Sequence, residues 1–158
     1  MDKKSSADTP GIKVQIASAY TDQFSAGQLQ AVAKATLLHE GRSGLITLVI
    51  TDDKNIQALN RDFLGQDAPT DVLAFAAQEE AGPFVAAPEA AEYLGDVIIS
   101  YPRALEQAEQ LGHPAGEEVD LLVVHGILHL LGYDHATPDD KAIMWARQEA
   151  ILQQLHAS

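Results

Sequence analysis

Directly after Pro10-Gly11, Ile12, Val14 and Ile16 alternate with polar neighbours, the two-residue period of a half-buried strand. The polar residues 1–10 before it are expected to form a flexible tail. From Ser25 the period changes. Leu29, Val32, Ala33, Thr36 and Leu37 recur at helical spacing, with Ser25 suited to cap the start and Gly41 lying past the end. Alternation returns over residues 45–51, after which Asp52 or Asp53 opens a short helix carrying Ile56, Leu59, Asn60 and Phe63, stopped by Gly65. Residues 65–70 are turn-like, Val72, Leu73 and Phe75 read as a third strand, and residues 94–100 as a fourth. Between these two strands, residues 76–92 are rich in Ala, Glu and Pro and predict a long surface loop or hairpin arm. Three helices close the chain, one beginning at Pro102, one at Glu117 and one at Pro138 and running through residue 155.

Early strands interleaved with helices, followed by a run of helices, predict an α+β fold: a small mixed four-stranded sheet packed with about five helices. The length of 158 residues suits one domain, expected over residues 11–156. The most apolar stretch, residues 119–133, contains Asp120, His125 and His129 and is shorter than the roughly 20 residues that span a bilayer. It is expected to be a core helix, with no membrane partner. Met144 and Trp145 are expected in the core, on the apolar face of the last helix.

Charge narrows the partners. Ten Lys and Arg against 23 Asp and Glu give a net charge of −13, so nucleic acid is repelled at long range and any polyanion must be drawn by a local positive feature. Cysteine is absent, which removes disulfides and thiolates and leaves His, Asp and Glu as the strong metal donors. No apolar segment follows Lys3 and Lys4 that would serve as a signal peptide, and a cytoplasmic location is expected.

The chemistry concentrates in His125-Gly126-Ile127-Leu128-His129-Leu130-Leu131-Gly132-Tyr133-Asp134-His135. Positions i and i+4 share a helix face, so His125 and His129 can present ring nitrogens to one point. Gly132 permits a left-handed reversal, and His135 arrives three residues later on the return. The predicted metal site thus lies at the end of a central helix. With six His and eleven Gly in the chain, coincidence supplies such spacing with a probability on the order of 10⁻³. Three neutral imidazoles leave a divalent cation its full charge and leave tetrahedral zinc an open position. Nickel, copper and iron also accept this donor set.

The spacing H-x-x-x-H-x-x-G-x-x-H is similar to that of metzincin proteases, which carry a Glu general base directly after the first His. Here that position is Gly126, which cannot take a proton, and a metallopeptidase is the lesser reading. A closer likeness lies elsewhere. The segment from His125 to His135 resembles the H-G-x-L-H-L-x-G-Y-D-H signature of the YbeY family of bacterial rRNA maturation factors. Leu59-Asn60 with Gly65-Gln66-Asp67-Ala68-Pro69-Thr70-Asp71-Val72-Leu73-Ala74-Phe75 is similar to the family's second block, and Leu94-Gly95-Asp96-Val97-Ile98-Ile99-Ser100 to its third. The likeness covers residues 46–152 and keeps the family's order. It implies a metal-dependent endoribonuclease acting on single-stranded RNA, in 3′-end processing of 16S rRNA and in ribosome quality control, with His125, His129 and His135 as zinc ligands. The partners it implies are precursor 16S rRNA and the small ribosomal subunit or one of its proteins, and not DNA.

Four further positions are candidate catalytic residues. Many family members carry an Arg just before the Gly of the second block, where this chain has Leu64; Arg61, one turn earlier, can serve RNA phosphate instead or be an exposed helix arginine. Thr70 and Asp71 line the cleft if the resemblance holds and are turn residues otherwise. Asp134 either orients a ligand histidine or caps its turn. Asp96 is a turn acceptor or a cleft carboxylate, and Arg103 is a second cation that could face the metal. His39, His113 and His156 are not expected to be ligands. A ribosome-assembly factor with a mainly structural metal, docking a basic protein through its acidic surface, is the alternative from a different class.

Overall fold

The computed structural model describes residues 11–77 and 92–156. Among these, four strands and five helices follow the predicted order: β1 (Ile12–Ile16), α1 (Ala26–His39), β2 (Leu45–Thr51), α2 (Asp53–Leu64), β3 (Val72–Ala76), β4 (Tyr93–Ser100), α3 (Tyr101–Leu111), α4 (Ala115–Leu130) and α5 (Pro138–His156). A single 3-10 turn, Ser18–Tyr20, follows β1. The expected tail over residues 1–10 and nearly all of the expected arm over residues 76–92 lie outside the described residues.

The helix ends are set as the side chains dictate. Ser25 and Asp52 each accept a backbone N–H three residues ahead, from Gln28 and Asn55, satisfying donors that the first helical turn leaves free. Helix α4 begins at Ala115, two residues before the Glu117 start predicted from sequence. Pro114 explains the difference, because its fixed φ of −61° and missing N–H suit the position just before a helix.

The sheet order is β1-β2-β4-β3, with β1, β2 and β4 parallel and β3 antiparallel to β4 at the edge. Strand alternation gives the sheet two different faces. Ile46, Leu48, Ile50, Val97 and Ile99 point into the main core, with Val72, Ala74 and Ala76 of β3 packed beside them. Leu73 and Ile98 point the other way, against Ile56 of α2, joined by Val49, Leu59 and Phe75. Hence α2 covers one face, and α4 lies across the other.

Helix α4 is the centre of the molecule. It packs against α1, α3, α5, β3 and β4, so ten of its sixteen residues are buried. A helix surrounded in this way reads as apolar on nearly every side, which is why its sequence shows no clean amphipathic stripe. Full burial of side chains such as Ile127 and Leu128 contributes about 1.5–3 kcal/mol each. No helix among the described residues is long and apolar enough to cross a membrane.

Candidate metal centre

His125 and His129 leave the last two turns of α4 on one face, and their ring centroids lie 5.0 Å apart. The helix ends at Leu130 with Leu131 as its cap, and Gly132 takes a φ of +106°, a backbone conformation that a side chain strongly disfavours. That reversal returns His135 to within 5.7 Å of His125 and 5.1 Å of His129, ring centre to ring centre. One donor nitrogen from each ring lies within 4.8 Å of the others. The convergence expected from the H-x-x-x-H-x-x-G-x-x-H spacing is therefore present, at the C-terminal end of the central helix. His125 and His129 are half-buried and His135 is exposed.

The electrostatics suit a cation-binding role. Burial holds the His125 and His129 rings below the usual imidazole range, and each is lowered further by neighbouring histidines, so their lone pairs are free at neutral pH. The donor chemistry and spacing fit a divalent transition metal: three neutral nitrogens, separated by little more than a coordination sphere requires.

Two residues outside the predicted ligand set complete the surroundings, and the first of them was not singled out by the sequence. Gln148 of α5, only 6% exposed, sits with its amide oxygen 3.0 Å from His125 Nδ1. An amide oxygen accepts, so Nδ1–H donates and Nε2 becomes the nitrogen turned toward the cluster. The signal was a polar residue in the buried row Met144, Gln148, Ile151. Trp145 corrects an expectation. Met144 is in the core, but Trp145 is 41% exposed and its ring stands nearly perpendicular to those of His125 and His135, at 5.5 and 5.8 Å. As neighbours on a helix, Met144 and Trp145 point about 100° apart, and only one can enter the core.

The return segment is pinned from two sides. Tyr133 donates its hydroxyl to Glu40 at 2.7 Å. The other Glu40 oxygen meets His39 Nδ1 at 2.9 Å and Arg147 at 3.4 Å, and the Arg147 guanidinium lies over the Tyr133 ring at 5.8 Å. Burial alone would raise the Glu40 carboxyl, but the Tyr133 and His39 hydrogen bonds and the Arg147 charge hold it below the usual carboxylate range. A cavity of about 150 Å³ beside His129 is bounded by Ala76, Leu130, Gly132 and Arg42.

The remaining candidates separate. Asp71 accepts from Gln107 at 3.1 Å and from the Thr70 hydroxyl at 3.3 Å, and its charge reaches His125, raising that ring's proton affinity. Asp134 accepts the backbone N–H of His135 at 2.6 Å, the turn-capping arrangement, while its charge also reaches His129. Arg61 is in the last turn of α2, the helix on the sheet face opposite α4, with its Nε 3.0 Å from Asp62. Arg103 is held by Asp53 at 3.4 Å. Asp96 is a strand residue bonded to the Tyr93 hydroxyl; its neighbour Val97 faces α4, so Asp96 faces away. Each histidine outside the trio meets a carboxylate: His39 meets Glu40, His113 meets Glu118, and His156 meets Asp120.

Three imidazoles, two from the buried helix and one from the turn after it, thus form a group able to hold a metal ion in an α+β protein. The chain's relatives agree on what kind. The sequence profile described as Endoribonuclease YbeY matches residues 12–156. Curated proteins named Endoribonuclease YbeY are similar throughout: one from Roseiflexus sp. (strain RS-1) is 42% identical over 150 residues, 93% of this chain and 94% of that protein. Another, from Brevibacillus brevis, is 45% identical over 134 residues, 80% of this chain and 82% of that protein. The solution structure of a Thermotoga maritima protein shares the fold, with a TM-score of 0.60 at 23% identity over 90% of this chain and 87% of that one. The chain belongs to the YbeY endoribonuclease family.

Proposed function

We propose that this protein is a zinc-dependent endoribonuclease that cleaves single-stranded RNA, with residues 11–156 as one catalytic domain. The observation that carries the reading is the convergence of the His125, His129 and His135 donor nitrogens within 4.8 Å, in a chain whose relatives carry the endoribonuclease name. Zinc held by these three nitrogens supplies Lewis acidity toward a phosphodiester. The chain's own residues supply the rest. Gln148 fixes the His125 ring, and Gly132 with the Tyr133–Glu40 hydrogen bond holds His135 in place. Asp71, steadied by Thr70 and Gln107, offers a carboxylate on the His125 side that can accept a proton. Asp134 holds the His135 backbone and moderates the charge around His129. Arg61 is a candidate contact for RNA phosphate.

Family membership supports a place in 3′-end maturation of 16S rRNA and in ribosome quality control, in the cytoplasm, alongside the small ribosomal subunit or one of its proteins. The test is zinc content and cleavage of single-stranded RNA before and after His129→Ala. Loss of both is expected, and equal cleavage by a metal-free variant overturns the reading. Gly126 still disfavours a metallopeptidase, because the position after the first histidine carries no base.

A further inference from the structure

A chain of charge −13 that handles RNA needs a cation placed where the strand must lie, because its average field opposes approach. The arginines are committed elsewhere: Arg61 to Asp62, Arg103 to Asp53, Arg147 to Glu40, and Arg42 to Glu92 at 3.9 Å. Lys141 is not. It forms no ion pair among the described residues, and its Nζ lies 5.3 Å from the centre of the Trp145 ring. Trp145 in turn flanks both His125 and His135. One exposed turn of α5 therefore sets a large π surface beside His125 and His135, with an unpaired ammonium over that ring. Asp139 and Asp140 in the preceding turn make Lys141 the local exception in an acidic rim.

We infer that Lys141 and Trp145 form the RNA-binding wall of this site, Trp145 stacking on an unpaired base beside the cleaved bond and Lys141 meeting a phosphate. The inference rests on the ribonuclease reading above. Stacking is tolerant of base identity, because every base has a π face, and a ring set at a cleft wall takes only a base freed from its duplex. The pair thus favours single strands with little sequence preference. It also supplies a positive charge over the ring that flanks the histidines.

Trp145 is the chain's single tryptophan, so its fluorescence reports this wall alone. Zinc-loaded protein is titrated with a short phosphorothioate-linked oligouridylate, single-stranded or annealed to its complement, over a range of salt. Saturable change with the single strand and little with the duplex is expected. Lys141→Glu should weaken binding roughly ten-fold and reduce the salt slope by about 0.7. Trp145→Ala, followed by oligonucleotide anisotropy, should weaken it roughly ten-fold, and Trp145→Phe should restore most of the loss. Zinc content is measured for every variant; if Trp145→Ala sheds its metal, Lys141→Glu, whose side chain touches no histidine, decides. If the parent protein binds and cleaves RNA while the zinc-retaining variants bind as tightly, the wall is wrong and the ribonuclease reading stands. A zinc-loaded parent that neither binds nor cleaves RNA overturns both.

Discussion

Gly126 of α4 backs onto Val97 of β4 so closely that a Cβ built on the glycine would lie 2.6 Å from Val97 Cγ1. The helix bearing two of the three histidines therefore rests on the sheet at a distance only hydrogen allows. The same contact explains why this chain has no carboxylate after His125: the position faces the core, not the metal site. Gly126→Ala should cost about 1–3 kcal/mol, read as a lower urea midpoint, and Gly126→Glu should not fold stably. An unchanged midpoint for Gly126→Ala would contradict the close packing.

Gln148 presents a single hydrogen bond, but to the ring whose orientation decides which nitrogen faces the site. Gln148→Leu is expected to lower zinc affinity about 10–100-fold, measured by competition with a coloured chelator. Gln148→Glu keeps an acceptor in place and should retain most of the affinity. Equal affinity in the leucine variant would mean that packing alone orients His125.

Glu40 should make the protein acid-sensitive in a particular range. Its carboxyl is held below the usual value in the folded state, so its contribution is fully present above the ordinary carboxylate value of 4.5. That contribution fades as pH falls through the lowered folded value. Glu40→Gln should flatten this limb of the stability-against-pH curve while leaving the neutral-pH trend unchanged. Tyr133→Phe should lose about 1.5–3 kcal/mol at neutral pH, the worth of a hydrogen bond to a charged group. A double-mutant cycle that showed no coupling between the two would remove the pair from the account.

Gly132 tests the return of His135 without any crowding, since a Cβ there meets nothing within 4 Å. Gly132→Ala should therefore cost about 1–2 kcal/mol from backbone conformation alone. Zinc affinity should fall with it, because strain at φ +106° is relieved by moving His135. Isothermal titration on parent and variant reads this directly; full affinity in the alanine variant would show that the loop reaches the site by another path.

The parts of this molecule governed by local periodicity were legible beforehand. Strand β2 matches its predicted span, and the trio follows from helical spacing and one glycine. What escaped was decided between elements distant in sequence. Gln148 and Glu40 are ordinary polar residues until α5 and α1 bring them to His125 and Tyr133. Trp145 read as core because hydrophobicity does not reveal which of two adjacent apolar residues points inward. Arg61, picked out by spacing along its own helix, pairs with its neighbour Asp62, a contact that spacing alone does not predict.

The acceptor that orients the first imidazole belongs to α5, which follows all three donors along the chain. Before that helix docks, the ring is free to turn either nitrogen inward, and a tightly organised ion site does not yet exist. The histidine cluster is therefore completed only when α5 packs against α4, a dependence written into the topology itself.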